Sequence, residues 1–456
     1  MKQLKLVIIE DDSIVRELIV EALNKPRFFG EGFNIHAEGY EKMPPLGKIK
    51  DAFLYILDKN IPFGKDGLKI AEELKDNGEL GARIMMTGDS NPETRLEDQM
   101  QAINYNLINK WIEKPIVPSR LKKLFLELRK ERKFIQKVNV GIIGLGRFGK
   151  GLLTKLKDLP EVKDVNIFSN FAKENYSGIL TLVGVLNQEK IKPHTSLESL
   201  VSAKPDILFL TTGQHLRKYT TREVLFSGAL EKTTPIFRIL REMNYSGLVC
   251  NVVNPVGPIL QAAEFYGFDP QRLTGFSPDT LRAKAEILKN IRKLSNKSFE
   301  DDIHLDVIGE HGKEIPLFGA CLVNGKSLYK KYPYFRRLKR ELIGSLRKAG
   351  LNTIKYAQEY GTDYEDAPNS LIDFVKDISH LQRNPSSCWY CYLENGVVGE
   401  SKSAYLQWPV NVDYPDLRVY RNDRFELKNL RKTELQEISR QITHQNQIVG
   451  GLRHGK

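Results

Sequence analysis

Glu10, Asp11 and Asp12 follow an apolar run near the start of the chain, Asp58 ends a second run, Thr87 ends a third, and Lys114 follows a fourth. Carboxylates gathered at strand ends make a hard oxygen site of the kind Mg²⁺ prefers. One aspartate is then free to attack phosphorus, a hydroxyl can receive a phosphoryl oxygen, and a lysine can balance the charge. A second set lies further along: Arg222 in "KYTTREVL", Asn254 in "VVNPVGP", Asp279 and Arg282 in "FSPDTLRAK", and His311 in "VIGEHGKEIPLFG". Reversible hydride transfer to a 2-oxo acid calls for these types. One cation grips the carboxylate, another polarises the carbonyl, and an acid with a pKa near neutral delivers the proton. A carboxylate beside His311 favours its protonated form. Between the two sets, "GIIGLGRFGKG" puts Gly144, Gly146 and Gly149 after a strand and at the start of a helix. There the first glycine makes a tight turn, the second admits a pyrophosphate to the backbone, and the third lets helix and strand pack closely.

The elements that position these residues alternate. "LKLVII" reads as a buried strand, and "DDSIVRELIVEALNK" opens a helix with acids in its first turn. "AFLYILDKNIP", "ARIMMTGDS" and "KWIEKPI" are further strands with "GLKIAEELKDN" a helix among them, so residues 1–125 are expected to form one α/β domain on a parallel sheet. From Pro118 a helical pattern places Leu121, Leu124, Leu128 and Ile135 on one face, which predicts a helical linker over 126–138. A second α/β pattern starts at "VNVGIIGLGRFGKGLLTKL", predicting a dinucleotide-binding domain over 139–257 and an α+β substrate domain over 258–450. The expected fold class is therefore α/β, with two doubly wound sheets of different kinds.

Residues 1 to about 125 resemble the receiver domain of response regulators, through "IIEDDSIVREL", "ILDKNIP", "MMTGDS" and "INKWIEKPI" in that order. The resemblance implies that Asp58 is the phospho-acceptor and that Glu10, Asp11, Asp58 and the Asn60 carbonyl hold Mg²⁺. It also implies that Thr87 and Lys114 sense the phosphoryl group, with Trp111 in the place of the aromatic switch residue. A sensor histidine kinase or a small phosphodonor would be the partner. Residues from about 139 to 450 resemble the lactate/malate dehydrogenase family, through the motifs above together with "YGTDYEDAPNSLIDFVKDI" and "SAYLQWPVNV". That resemblance implies a two-component protein whose output is an oxidoreductase acting on a small anionic 2-hydroxy or 2-oxo acid with NAD or NADP. His311 would be the proton donor and acceptor, Asp279 its partner, Arg282 the substrate carboxylate clamp, Arg222 the mobile-loop arginine, and Asn254 the residue positioning substrate and cofactor.

Some positions depart from the family pattern. Ser169, not an acid, ends the strand after the glycine turn, with Lys173 nearby, which admits NADP as well as NAD. Lys313 follows "GEHG" where the family has an acid, Pro278 replaces a leucine, and the loop "TGQHLRKYTTR" lacks its glycine hinge. Arg217 and Lys218 stand near the position that selects the substrate side chain, which favours a second carboxylate, as in malate. A different reading makes the second domain a sensor that binds a dinucleotide or a partner without turnover.

The bulk properties narrow the class. A chain of 456 residues with 41% hydrophobic and 28% charged residues is an ordinary multidomain globular composition. Residues 1–130 hold 21 Lys+Arg against 21 Asp+Glu, so the net charge of +12 lies beyond them. Such basic surface draws small anions and dinucleotides. No helix-turn-helix or finger pattern accompanies it, which argues against nucleic acid. Four cysteines make no disulfide framework, and "CWYC" reads as a strand that cannot chelate one ion. No apolar run suits a membrane span, so a cytoplasmic protein is expected. The dehydrogenase resemblance implies a homo-oligomer.

Overall fold

The computed structural model describes the chain except at residues 1–3, 26–27, 29–34, 62–65, 89–98, 101, 103–105, 170–187, 214–221, 277, 296–301, 361–365, 383–384, 386–387, 396, 398–401, 415–416, 423–429, 431 and 451–456. The chain divides into two units. One is Met1–Lys137 with Lys376–Arg383 and Asp413–Asp416; the other is Val138–Val375, Asn384–Val412 and Leu417–Lys456.

In the first unit, strands β1 (Leu4–Ile9), β2 (Ile35–Tyr40), β3 (Leu54–Asp58), β4 (Ala82–Thr87) and β5 (Lys110–Glu113) form a sheet ordered β2-β1-β3-β4-β5. Every pairing is parallel. β3 and β4 are buried along their whole length, which is why they read as unbroken apolar runs rather than alternating ones. Ile9 pairs with Leu57, so Glu10 and Asp58 leave the sheet side by side at its carboxyl edge. Asp12, expected inside the first helical turn, instead caps it: its Oδ1 accepts the N–H groups of Ile14 at 2.8 Å and Val15 at 3.1 Å.

The expected helical linker over 126–138 is helical only as far as Lys130, where the helix Pro118–Lys130 ends. Arg132 takes a left-handed φ of 56°. Its N–H bonds Arg129 O at 3.0 Å, while the Lys133 N–H reaches back to Leu128 O at 2.9 Å, a double closure that ends a helix. Phe134 then turns inward, its ring 4.5 Å from that of Phe125 and 5.3 Å from that of Phe53. Burying such a ring is worth roughly 1.5–3 kcal/mol, enough to end a helix here. Two late segments expected in the substrate domain belong to this unit as well. Asp377 pairs with Arg132 at 3.0 Å, Ser379 Oγ donates to Gln136 O at 2.8 Å, and Tyr414 OH donates to Gln382 O at 3.0 Å.

The second unit carries β6 (Val138–Ile143), β7 (Val162–Phe168), β8 (Ile191–Pro193), β9 (Ile207–Leu210), β10 (Leu248–Asn251) and β11 (Leu273–Gly275). Short pairings follow: β12 (Ile303–His304) and β16 (Lys326–Ser327) flank β15 (Leu322–Val323), and β13 (Val307–Ile308) pairs with β14 (Ile315–Pro316). Strands β17 (Trp389–Leu393) and β18 (Ala404–Trp408) complete a sheet ordered β18-β17-β11-β10-β9-β6-β7-β8. The first six named strands are parallel, and the order reverses between β6 and β9, the crevice where doubly wound sheets bind nucleotides. β17 and β18 add antiparallel. Leu208, Leu210, Val249, Ile259, Tyr390 and Tyr405 belong to one buried cluster on this sheet. Among the described residues no helix is long and apolar enough to cross a membrane.

The glycine turn follows β6. Gly144 has φ of 99°, a conformation suited to glycine, and a Cβ on Gly149 would collide with the Gly144 carbonyl. Gly149→Ala should therefore destabilise the protein by roughly 1–3 kcal/mol. Gly146→Ala, which meets nothing within 4 Å, should cost much less. Thermal unfolding of both variants checks this, and equal losses would refute the packing argument.

Candidate functional site

Asp279 is the first residue of the helix Asp279–Ser295 and is 2% exposed. Phe276, just before it, packs on Trp389 at 5.4 Å, and Trp389 stacks on Phe374 at 3.9 Å. A carboxylate so deeply placed needs charged or donating partners. Its Oδ2 lies 2.8 Å from His311 Nδ1, and its Oδ1 lies 3.6 Å from Arg282 Nη1. The two oxygens thus divide between imidazole and guanidinium. Nδ1 is thereby the ring nitrogen turned to the acid. Burial pushes the His311 imidazole down, but Asp279 outweighs it by charge and hydrogen bond, and the net shift is upward.

His311 stands between β13 and β14, in a turn held through its backbone. Its N–H donates to the Tyr390 hydroxyl at 2.8 Å, and Gly309, with φ of 102°, exchanges hydrogen bonds with Gln407 of β18. The Lys313 ammonium lies 3.5 Å from Glu310. The acid missing at Lys313 comes one residue later: Glu314 is 6% exposed, and its carboxyl is pushed up by burial and then by Asp279. Its charge in turn raises His311. Sequence reasoning missed Tyr390 and Glu314. Tyr390 lies 79 positions from His311, so nothing local marked it, whereas an acid within three residues of the histidine was visible.

Asn251 pairs with Gly275 across parallel β10 and β11, so Asn254 and Asp279, a few residues beyond, both follow the carboxyl edge of the sheet. Asn254 is exposed there, on a turn stiffened by Asn251, whose Oδ1 accepts the Val253 N–H at 3.0 Å. Arg222 heads the helix Arg222–Glu242. The Arg222 side chain and residues Lys173, Arg217 and Lys218 lie outside the described residues. The site thus brings together His311, Asp279 and Arg282 in direct contact, with Asn254 on the same edge.

The glycine turn opens on that edge too. Thr211 Oγ1 donates to Gly144 O at 2.5 Å and to Ile143 O at 3.0 Å. The helix Arg147–Leu156 begins at Gly146 with no side-chain cap, so its first N–H groups remain for a phosphate ligand. Above Gly146 a Cβ would meet nothing within 4 Å, which leaves room for a pyrophosphate. The donor set fits a dinucleotide. Ser169 follows β7, half-buried. In "CWYC", Cys388 and Cys391 are buried, and burial pushes both thiols up.

In the first unit, Glu10, Asp11 and Asp58 offer carboxylate oxygens within 4.8 Å of one another. Lys114 Nζ joins them, 2.8 Å from Glu10 Oε1 and 3.0 Å from Asp58 Oδ2. Burial pushes the Glu10 carboxyl up to about 7 against the pull of Lys114, and Glu10 Oε2 is buried with no hydrogen-bond partner. Burial raises Asp58 as well, with Lys114 opposing and Asp11 adding to the rise. Three crowded acids with an unused buried oxygen fit a divalent cation. Asn60 gives its backbone N–H to Asp58. Thr87 is buried at the end of β4, and Trp111 packs against the cluster of Val7, Leu57 and Met85.

No protein-family model matches the chain, and no curated protein matches it in sequence. Solved structures do resemble it. A lactate dehydrogenase from a Medee basin deep-sea metagenome library aligns with TM-score 0.57 at 15% identity, covering 70% of this chain and 99% of its own. The minor L-lactate dehydrogenase of Enterococcus mundtii, in its ligand-bound form, aligns with TM-score 0.57 at 18% identity over the same shares. The malate dehydrogenase of Cryptosporidium parvum aligns with TM-score 0.55 at 17% identity, again over 70% of this chain and 99% of its own. At these identities the likeness is one of fold: a mixed α/β chain with a parallel sheet of the lactate/malate dehydrogenase kind.

The Asp279–His311 pair has a pH signature. Because the folded imidazole pKa lies above its ordinary value, the pair stabilises the protein below about 6.5, and the contribution is lost as pH rises through the raised value. In Asp279→Asn the His311 titration, followed by NMR, should move to lower pH. An unmoved titration would mean that the 2.8 Å contact does not set the proton affinity.

Proposed function

We propose that the chain joins a phosphorylatable receiver to a dehydrogenase-like unit that interconverts a small 2-hydroxy acid and its 2-oxo acid with NAD or NADP. The observation that carries the second half is the 2.8 Å contact between buried Asp279 and His311 on the edge where the glycine turn also opens. Gly144, Gly146 and the start of the helix Arg147–Leu156 would hold the pyrophosphate, and Ser169 would face the adenine ribose. The nicotinamide, when bound, supplies or accepts the hydride.

The protein's own residues handle charge and protons. The Arg282 guanidinium would bind the substrate carboxylate, held in place by its contact with Asp279. His311 Nε2 would donate its proton to the carbonyl oxygen during reduction and take it back during oxidation. Asp279 keeps the imidazolium favourable without itself moving a proton. Asn254 would orient substrate and cofactor, and Arg222 would polarise the carbonyl. Arg217 and Lys218 favour a substrate with a second carboxylate.

The receiver half is supported by the sheet order β2-β1-β3-β4-β5 and by the cluster of Glu10, Asp11, Asp58 and Lys114. The acids and the Asn60 carbonyl would hold Mg²⁺. Asp58 would attack phosphorus of a donor, either a kinase phosphohistidine or a small acyl phosphate, and Lys114 would offset the added charge of about −1.5 to −2. Thr87 would receive a phosphoryl oxygen, and Trp111 would respond as the switch aromatic.

Two experiments test the halves separately. Oxaloacetate and pyruvate, each with NADH and NADPH, should show turnover that falls about 10²–10⁴-fold in His311→Asn. Nucleotide-dependent thermal stabilisation with no turnover on any 2-oxo acid would favour a non-catalytic sensor instead. Acetyl phosphate with Mg²⁺ should label the protein, and Asp58→Asn should abolish the label. Labelling that persists in the variant would remove Asp58 as acceptor.

A further inference from the structure

The helix Lys432–Gly450 uses its buried amides on other backbones. Gln445 Oε1 accepts the Tyr405 N–H at 2.8 Å, and its Nε2 donates to Tyr405 O at 3.0 Å, so this side chain pairs with β18 as another strand would. Asn446 Nδ2 donates to Ser403 O at 3.0 Å, and its Oδ1 accepts from Gln261 at 3.0 Å. A Cβ on Gly257 would collide with Gln445, so glycine there admits the amide. These bonds set the helix in one register on the sheet.

One turn earlier, on the same face, Gln441 repeats the pattern on the turn that carries the histidine. It is 1% exposed. Its Oε1 accepts the Glu310 N–H at 2.7 Å, and its Nε2 donates to Lys313 O at 2.8 Å. The two bonds bracket His311 and Gly312. A Cβ on Gly309 would stand 2.7 Å from Gln441 Oε1, so glycine there lets the amide approach. The bonds are made to backbone atoms, so they hold whatever side chain stands at 313.

We infer that Gln441 is a positioning residue for His311: it ties both sides of the histidine turn to a helix that Gln445 and Asn446 lock to the sheet. This rests on the reading of His311 as the proton donor and names a residue that reading does not require. Asp279 stands on a different element from the turn, so the 2.8 Å Nδ1–Oδ2 contact survives only if the turn is held in place from outside. Hydrogen bonds weaken steeply with misalignment, and a displacement of about 1 Å at a reacting group can cost about 100-fold in rate.

The test is Gln441→Met, which keeps the length of the side chain and removes both bonds. The His311 titration, assigned by NMR against His311→Asn, should shift to lower pH as the Asp279 contact loosens. kcat should fall about 10- to 100-fold, with the pH profile moving in the same direction and the nucleotide KM unchanged. An unaltered His311 titration and pH profile in a folded variant, even with a lower Tm, would overturn the proposal. If the variant does not fold, amide exchange in the unaltered protein decides. The Glu310 N–H should be as protected as the amides of β17, and exchange at the rate of an exposed amide would overturn it. If the unaltered protein turns over no 2-oxo acid, the dehydrogenase reading fails, while the titration and exchange still decide whether Gln441 holds His311.

Discussion

A buried carboxylate is the constraint around which the second unit is arranged. Asp279 sits at the start of a helix and is buried, where an isolated negative charge would cost several kcal/mol. His311 and Arg282 offset that cost from two sides, one on each oxygen. Both must therefore stay where they are, and the chain meets the demand differently for each. Arg282 is one helical turn away on the same helix, so local geometry suffices. His311 comes from another part of the sequence, so its turn needs Tyr390, Gln407 and Gln441 to hold it.

The first unit applies the same physics with the signs rearranged. There three acids crowd a sheet edge and one lysine balances them, which leaves Glu10 with its carboxyl pushed up to about 7, chiefly by burial. Asp58 is raised in the same way. One site gathers carboxylates around a single lysine, a donor set of the kind that fits a cation. The other neutralises a single carboxylate, suited to holding a proton on an imidazole.

The division between legible and illegible features follows sequence distance. Parallel strands buried on both faces read as apolar runs, and the strand ends carried Glu10, Asp58 and Thr87 in plain view. The glycine turn was equally clear, since Gly144 answers to its own positive φ and Gly149 to the Gly144 carbonyl a few residues back. The linker misled because a periodic apolar pattern cannot reveal that Arg132 turns left-handed and Phe134 folds back onto Phe53. The placement of 376–383 with the first unit was illegible for the same reason, since it depends on contacts with residues some 240 positions earlier, and 413–416 joins that segment through the Tyr414 hydroxyl on Gln382.

The sequence by itself determined which residue types are present to do chemistry, and the strands and turns that carry them, because propensity, periodicity and glycine geometry act over a few residues. Tertiary structure decided what those residues can do. Whether His311 meets Asp279, which acid lies behind them, and which side chain holds the turn are matters of distance between segments far apart in the chain. Glu314 was visible but could not be weighed until burial set its proton affinity. Gln441 gave no signal at all, since a glutamine on a C-terminal helix gains its meaning only from the backbone atoms it reaches.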